Sequence, residues 1–219
     1  MRRYSAVVFD WDGTVMDSTH SIVISMQNAC TDIGLPVPAP EQARWVIGLS
    51  LESALYRAVP QLTAEQLPLF VECFRTHYLQ KDGELHLFDG ILDVFSEIRG
   101  LQASLAVATG KSRKGLDRAL ERLQLQECFS VTRCADESAS KPDPAMLIEI
   151  MDVLELPPER VLMVGDTTHD IEMANRAGVD SVAVTYGAHD RATLLSASPT
   201  TLVSSVGQLR SWLMSRIQA

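Results

Sequence analysis

Short apolar runs alternate with helical patterns from about residue 89 to the end of this 219-residue chain. We predict strands at 103–108, 129–132, 161–164, 179–184 and 201–203, and helices at 89–99, 112–124, 144–155, 167–177 and 205–217. Near-continuous apolar strands that alternate with helices are typical of a parallel sheet covered on both faces. Right-handed crossovers then place the first apolar run, which begins at Ala6, inside the same sheet. The predicted fold class is therefore α/β, with a doubly wound parallel sheet.

A block without any strand pattern separates the first apolar run from the rest of the chain. Within it, apolar residues recur at helical spacing, and Thr63 with Gln66 has the pattern of a capping box. We predict that 1–15 and 85–219 form the α/β core and that 16–84 form an inserted, all-helical cap. Two crossings of the chain would connect the two parts, which suits a lid that opens by hinging.

The composition argues against several classes of function. Lys and Arg number 19 against 28 Asp and Glu, which gives a net charge of −9. No basic run is longer than the four residues 111–114, so we expect no nucleic-acid partner. No apolar stretch approaches the roughly 20 residues of a membrane helix, and the cysteines lack C-x-x-C spacing. We therefore predict a cytoplasmic protein with reduced thiols and no membrane partner, either a monomer or a homodimer.

Polar side chains follow three of the predicted strands at their carboxyl ends, where open α/β sheets bind ligands. These residues are Asp10 and Asp12, then Thr109 with Gly110 and Lys111, then Asp166 with Asp170. Carboxylates that converge repel each other unless a cation lies between them or one holds a proton. Oxygen ligands without nearby Cys or His suit Mg²⁺, which needs a further anionic ligand. The sequence predicts a magnesium site, and a phosphate group would supply that ligand.

Each motif also has an ordinary structural explanation. Asp166 with Thr167 can cap a helix, and Lys141 before a proline fits an exposed loop. Lys141 can equally balance the charge of the acids. Thr109 with Gly110 fits a turn, or it can bind phosphate oxygens beside backbone N–H groups at a helix start.

Taken jointly and in this order, the motifs resemble those of the haloacid dehalogenase-like hydrolase superfamily. Asp-Trp-Asp-Gly-Thr at 10–14 matches the first motif, D-x-D-G-T, and Thr109 matches the Ser or Thr of the second. Lys141 matches the lysine of the third, and 165–170 match the fourth, G-D-x-x-x-D. An all-helical cap between the first two motifs is a standard layout of that family. The segments at 108–112 and 165–167 look most like the phosphoglycolate phosphatase-like branch.

The resemblance implies a role for each catalytic position. Asp10 would be the nucleophile that takes the phosphoryl group as an aspartyl-phosphate. Asp12 would protonate the leaving alcohol and then deprotonate the attacking water. Thr109, Gly110 and Lys141 would bind the phosphoryl oxygens.

The same resemblance implies the metal ligands. The Asp10 carboxylate, the Asp12 backbone carbonyl and Asp166 would hold Mg²⁺, with Asp170 as a further ligand or as a partner of one. Gly13 would permit the tight turn and the close approach of the backbone to phosphate.

Substrate choice is expected in the helical cap, because related caps contact the leaving group. A glycine break within 44–50 indicates a loop that faces the core. Arg44, Ser50 and Arg57 are the candidates for contact with substrate, although each also fits a plain surface position. We expect His169 to be solvated or packed, because Asp12 already fills the acid–base role.

Several activities remain open on these motifs. A phosphatase for a small phosphorylated metabolite, such as 2-phosphoglycolate, is the first expectation. A phosphomutase of the β-phosphoglucomutase type or an inorganic pyrophosphatase would use the same residues. A receiver-like signalling module also clusters aspartates, Mg²⁺, a Thr and a Lys, but it needs neither a lid nor Asp12. A haloacid dehalogenase needs no metal, and a phosphonatase needs a Schiff-base lysine, for which Lys81 is poorly placed.

Overall fold

A computed structural model describes residues 4–217 of the chain. Within these residues one parallel sheet contains β1 (Ala6–Phe9), β2 (Ser104–Thr109), β3 (Val131–Cys134), β4 (Val161–Gly165), β5 (Asp180–Val184) and β6 (Thr201–Val203). The strand order is β3-β2-β1-β4-β5-β6, and every neighbouring pair is parallel. The predicted α/β class and doubly wound sheet are confirmed. The chain order reverses between β1 and β4, which is the place where such sheets bind ligands.

Helices flank the sheet and fill the long connection between β1 and β2. That connection contains α1 (Thr19–Asp32), α2 (Pro40–Trp45), α3 (Leu51–Ala58), α4 (Leu67–Gln80) and α5 (Ile91–Gly100). The later helices are α6 (Arg113–Leu123), α7 (Ala145–Leu154), α8 (Thr168–Ala177), α9 (Arg191–Ser196) and α10 (Val206–Met214). Among the described residues, no helix combines the length and apolar character that crossing a bilayer requires.

Burial on both faces of β1 explains its unbroken apolar sequence. Val7 and Phe9 pack into the apolar cluster on one side of the sheet, and Ala6 and Val8 pack into the cluster on the other side. All four side chains are fully buried. A polar residue within β1 would therefore lose its hydration without gaining a partner, which costs free energy.

Helices α1 to α4 have an apolar core of their own. Val23 and Met26 of α1 pack with Leu55 of α3 and Phe70 of α4. The capping pattern before α4 is present, because Thr63 N–H donates to Gln66 Oε1 and Gln66 N–H donates to Thr63 Oγ1. These reciprocal bonds satisfy backbone donors that the first helical turn leaves free.

The two segments that connect α1–α4 to the sheet are hydrogen-bonded to each other. Phe88 N–H donates to the Val15 carbonyl at 3.1 Å, and Asp17 N–H donates to the His86 carbonyl at 2.9 Å. The predicted boundaries between core and cap, at 15/16 and 84/85, lie close to these two segments. That these boundaries separate two parts that move independently stays a prediction.

The structure shifts the ends of several predicted elements by one to three residues and adds one helix. Helix α9 is absent from the sequence-based prediction, because it is only six residues long and buries only Leu194. One feature of the sequence does indicate this helix: Asp190 is a favourable N-cap residue, and it accepts a hydrogen bond from Thr193 N–H at 2.8 Å. Strand β3 begins at Val131, two residues later than predicted.

Candidate active site

Asp10 lies one residue beyond the end of β1, at the centre of the sheet edge. Phe9 pairs with Val107 of β2 and with Val164 of β4 in parallel register. The residues that follow these three strands therefore lie side by side at the same edge of the sheet. Asp10 is 1% exposed, and its Oδ1 atom accepts a hydrogen bond from Lys141 at 2.6 Å. Its Oδ2 atom is buried and has no hydrogen-bond partner among the described residues.

Lys141 is a buried cation held between two carboxylates. Its Nζ atom lies 2.6 Å from Asp10 Oδ1 and 2.6 Å from Asp170 Oδ1. Burial alone would lower the pKa of Lys141, but the two carboxylates raise it above its usual value. The side chain therefore stays positively charged inside the protein.

Asp166 and Asp170 follow β4 at the start of α8. Thr167 caps this helix through a reciprocal capping box with Asp170. Asp166 accepts hydrogen bonds from Thr14 Oγ1 at 2.8 Å and from Ala188 N–H at 2.6 Å. Burial, followed by the charge of Asp170, raises the pKa of Asp166 to about 7.

Asp10, Asp166 and Asp170 form a buried carboxylate group that fits a metal ion. One carboxylate oxygen from each lies within 4.8 Å of the others. The neighbouring Lys141 compensates only part of their charge, and Asp10 Oδ2 lacks the partner that a buried carboxylate oxygen requires. Burial also raises the pKa of Asp10 well above its usual range. Three oxygen donors without Cys or His match the preference of Mg²⁺.

Two glycines make room around Asp166. Gly13 has φ +90°, and a Cβ atom there would collide with Asp166 Oδ2. A Cβ atom at Gly187 would collide with the same oxygen. The sequence analysis explains Gly13 by a close approach of the backbone to phosphate. In the structure, the atom closest to a Cβ at this position belongs to the side chain of Asp166.

Asp12 points into different surroundings from Asp10. Its Oδ1 atom accepts a hydrogen bond from Ser18 Oγ at 2.7 Å, and both of its oxygens lie 2.9 Å from Lys111 Nζ. Lys111 also donates to the Tyr78 hydroxyl of α4 at 3.1 Å. The sequence analysis places Lys111 at the strand end with Thr109 but assigns it no role, because nothing in the sequence shows that its side chain contacts Asp12.

Thr109 and Gly110 lie where β2 meets the helical part of the chain. The Thr109 side chain is buried, and its Oγ1 atom accepts a hydrogen bond from Lys111 N–H at 3.2 Å. A Cβ atom at Gly110 would collide with the carbonyl oxygens of Gly48 and Leu49. Glycine is therefore needed at position 110 for close contact with this loop.

The loop between α2 and α3 is hydrogen-bonded to the core at two points. The Trp45 carbonyl accepts bonds from His169 Nε2 and His189 Nε2, both at 3.0 Å. Ser50 N–H donates to Ser140 Oγ at 2.9 Å. His169 is buried, and burial lowers its pKa to about 4, so it is a neutral packing residue.

A cavity of about 620 Å³ opens between α4 and α6, with Asp10 and Asp12 in its lining. Thr109, Gly110 and Ser50 also line it. Arg44 and Arg57 are absent from this lining and are exposed, so their predicted contact with substrate stays a prediction.

Comparison with known proteins agrees with this architecture. The profile of haloacid dehalogenase-like hydrolases matches residues 7–184. The tyrosine-protein kinase PtkA of Mycobacterium tuberculosis is 32% identical over 200 residues, which are 90% of this chain and 67% of PtkA. A phosphoglycolate phosphatase of Chromobacterium violaceum is 29% identical over 204 residues, which are 89% of this chain and 90% of that enzyme.

The structural comparison gives the same fold over nearly the whole chain. The crystal structure of a predicted phosphoglycolate phosphatase from Haemophilus somnus has a TM-score of 0.87 at 23% identity, and the match covers 97% of this chain and 99% of that one. The chain belongs to the haloacid dehalogenase-like hydrolase family. The predicted family and the expectation that the protein is a hydrolase are thereby confirmed.

Proposed function

We propose that the protein is a Mg²⁺-dependent phosphatase that hydrolyses a small phosphorylated metabolite through an aspartyl-phosphate on Asp10. The observation that carries this proposal is the unpartnered Oδ2 atom of Asp10 inside a buried group of acids. A phosphoglycolate phosphatase among the relatives supports the same reaction class, and 2-phosphoglycolate is the first substrate to try. The cytoplasmic location and the monomer or homodimer state stay predictions from the sequence.

Asp10 supplies the nucleophile. Lys141 donates a hydrogen bond to Oδ1, and Oδ2 has no hydrogen-bond partner among the described residues. In the first step one carboxylate oxygen of Asp10 forms a bond to phosphorus while the bond from phosphorus to the leaving oxygen breaks, and the other carboxylate oxygen would remain for the metal. In the second step water attacks the phosphorus, the bond between Asp10 and phosphorus breaks, and the carboxylate is restored.

Asp12 handles the protons of both steps. It lines the cavity, where the leaving alcohol would lie, and its side chain is held by Ser18 and Lys111. It donates a proton to the leaving oxygen in the first step and takes a proton from the attacking water in the second.

The remaining groups offset the charge of the phosphoryl oxygens. Thr109 supplies a hydroxyl donor, and Lys141 supplies positive charge beside the nucleophile. Mg²⁺ held by Asp10, Asp166 and Asp170 would add further charge stabilisation at the same oxygens. Both oxygens of Asp170 already accept hydrogen bonds, from Lys141 and Thr167, which favours a supporting role for it.

The proposal is tested by phosphate release from 4-nitrophenyl phosphate under multiple turnover. We expect turnover with Mg²⁺, loss of turnover with EDTA, and recovery when Mg²⁺ is added in excess. Asp10→Asn should abolish turnover with an unchanged circular dichroism spectrum. The matched control is Asp152→Asn, on the exposed side of α7, which should retain full activity. Catalysis that survives Asp10→Asn would refute the nucleophile assignment.

The same assay separates the alternatives. A receiver-like module would take up one phosphoryl group per chain without continued release. A mutase would convert a sugar phosphate faster than it releases phosphate, and a pyrophosphatase would prefer pyrophosphate. PtkA, which is a longer protein, is named as a tyrosine-protein kinase. A kinase transfers the phosphoryl group to a hydroxyl acceptor, whereas a phosphatase transfers it to water, so release of inorganic phosphate distinguishes the two.

A further inference from the structure

The cavity beside Asp10 and Asp12 is much larger than a two-carbon leaving group requires. Its volume of about 620 Å³ lies in the middle of the roughly 300–1,000 Å³ found for small-molecule sites. Glycolate, the alcohol released from 2-phosphoglycolate, contains only two carbon and three oxygen atoms. A ligand that fills this space must therefore extend well beyond the scissile phosphate.

One wall of the cavity is apolar and belongs to the helices that precede α5. Val71, Phe74 and Tyr78 lie at spacings of three and four residues, so they share one face of α4. Met26 of α1 and Leu49 of the loop before α3 extend this wall. The wall offers apolar contact to a ligand and few polar groups that would compensate the burial of a sugar-like alcohol.

The far part of the lining carries positive charge. Lys114 and Arg118, four residues apart, share one face of α6, and Arg75 extends from α4. Arg118 is 3.4 Å from Asp82, but among residues 4–217 no carboxylate lies within 4.0 Å of Arg75 or Lys114. Both side chains are exposed to solvent, so they are available to an anionic ligand.

The acids in the same lining do not neutralise these cations. Glu52 and Asp136 also line the cavity, but neither forms an ion pair with Arg75 or Lys114. Asp136 instead accepts a hydrogen bond from Arg113 N–H at 2.8 Å. Arg75 of α4 and Lys114 of α6 therefore both offer positive charge to an anionic group bound in this cavity.

We propose that this cavity is a leaving-group subsite for amphipathic phosphomonoesters, whose alcohol combines an apolar body of about six or more carbon atoms with a second anionic group. The apolar wall takes the body, and Arg75 with Lys114 takes the anion. The inference rests on the proposed phosphatase function and names the class of its substrate.

The test uses four phosphates of primary alcohols, which differ little in leaving-group reactivity. They are ethyl phosphate, 2-phosphoglycolate, octyl phosphate and 8-phosphonooxyoctanoate. We expect kcat/KM for octyl phosphate to exceed that for ethyl phosphate by at least about tenfold, because the longer alkyl chain buries more apolar surface against the wall. We expect the terminal carboxylate of 8-phosphonooxyoctanoate to add about tenfold more, as a charge-assisted hydrogen bond would.

The cations are tested with the double variant Arg75→Gln/Lys114→Gln. It should lose the gain from the terminal carboxylate, so that the ratio of kcat/KM for 8-phosphonooxyoctanoate to kcat/KM for octyl phosphate falls to about one. This ratio between two substrates is insensitive to a partial loss of folded protein. The control is Arg191→Gln, an exposed arginine of α9 outside the cavity lining, which should retain the full gain.

The outcomes separate this inference from the function on which it rests. If octyl phosphate is no better than ethyl phosphate, or if the double variant keeps the carboxylate gain, the subsite assignment is overturned while the phosphatase stands. If the wild-type protein hydrolyses none of the four substrates and no 4-nitrophenyl phosphate either, the proposed function fails, and the subsite fails with it.

Discussion

Two lysines approach two aspartates at the sheet edge, and their surroundings differ. Lys141 is fully buried and bridges Asp10 and Asp170, which both belong to the sheet edge. Lys111 is 13% exposed and connects Asp12 at the sheet edge to Tyr78 of α4. The ion pairs of the first group involve no residue of α1–α4, whereas the second group includes Tyr78 of α4. Under the proposed function, attack on phosphorus would therefore use a fixed site, and proton transfer would use a site that depends on the position of α4.

The largest effect is expected from Lys141→Gln. It removes the cation beside the nucleophile, so kcat should fall on the order of 10³-fold, as when a charge-stabilising donor is lost. The loss should be similar for 4-nitrophenyl phosphate and for alkyl phosphates, because both need attack by Asp10. Steady-state kinetics measure it, with Lys81→Gln as the control. A loss of less than tenfold would contradict the fixed-site interpretation.

Lys111→Gln should have a smaller effect that depends on the leaving group. For an alkyl phosphate we expect a loss of tens of fold, below the roughly 10² or more that removal of a general acid costs. For 4-nitrophenyl phosphate, whose leaving group needs no proton, the loss should be only a few fold. Equal losses for the two substrates would show that Lys111 does not act through Asp12.

Magnesium affinity should depend on pH through the fixed site. Asp166 has its pKa raised to about 7, so below that pH a proton must leave before the metal binds. Affinity should rise about tenfold between pH 5 and pH 6 and level off above pH 7, as measured by titration calorimetry. Asp166→Asn should make this dependence shallower, with the pKa of Asp10, which burial also raises, accounting for the remainder. An affinity that is flat with pH in the wild type would contradict the prediction.

The raised pKa of Asp166 also determines how the stability of the metal-free protein changes with pH. Because the pKa of Asp166 is higher in the folded state than its ordinary value of 3.8, the folded state holds a proton that the unfolded state has lost between about pH 4 and pH 7. The ionisation of Asp166 therefore lowers the free energy of unfolding as the pH rises from about 4 to about 7. Saturating Mg²⁺ should offset that loss in thermal unfolding experiments.

The smallest effect is expected from Tyr78→Phe. One hydrogen bond to Lys111 is removed and the ring remains, so kcat for an alkyl phosphate should fall roughly threefold. Combining it with Lys111→Gln should add nothing further, because both changes act on one contact. A multiplicative loss in the double variant would show that Tyr78 works independently of Lys111.

The sheet-edge residues could be predicted because strand ends fix them. Parallel register sets the ends of β1, β2 and β4 level, so a polar residue one or two places beyond an apolar run belongs to the shared edge. Asp10, Thr109 and Asp166 follow this rule. Lys111 follows it too, but the sequence does not reveal that its side chain turns back towards Asp12.

The cavity residues could not be predicted in the same way. The packing of α4 against the rest of the protein determines which of its residues face the cavity. The spacing of its apolar residues predicts an apolar stripe, but it does not show what that stripe packs against. Arg75 and Lys114 come from elements far apart in sequence, and they meet only in three dimensions. Arg44 and Arg57, the arginines chosen from the sequence, lie outside the lining.

Closure at Gly110 is made by the main chain of the opposing loop. The atoms nearest to a Cβ at position 110 are the carbonyl oxygens of Gly48 and Leu49, not their side chains. Val46, Ile47 and Leu49 also line the cavity, so the loop separates two tasks. Under the proposed function, the side chains of this loop could change to accept other leaving groups while its peptide groups keep the contact with Gly110.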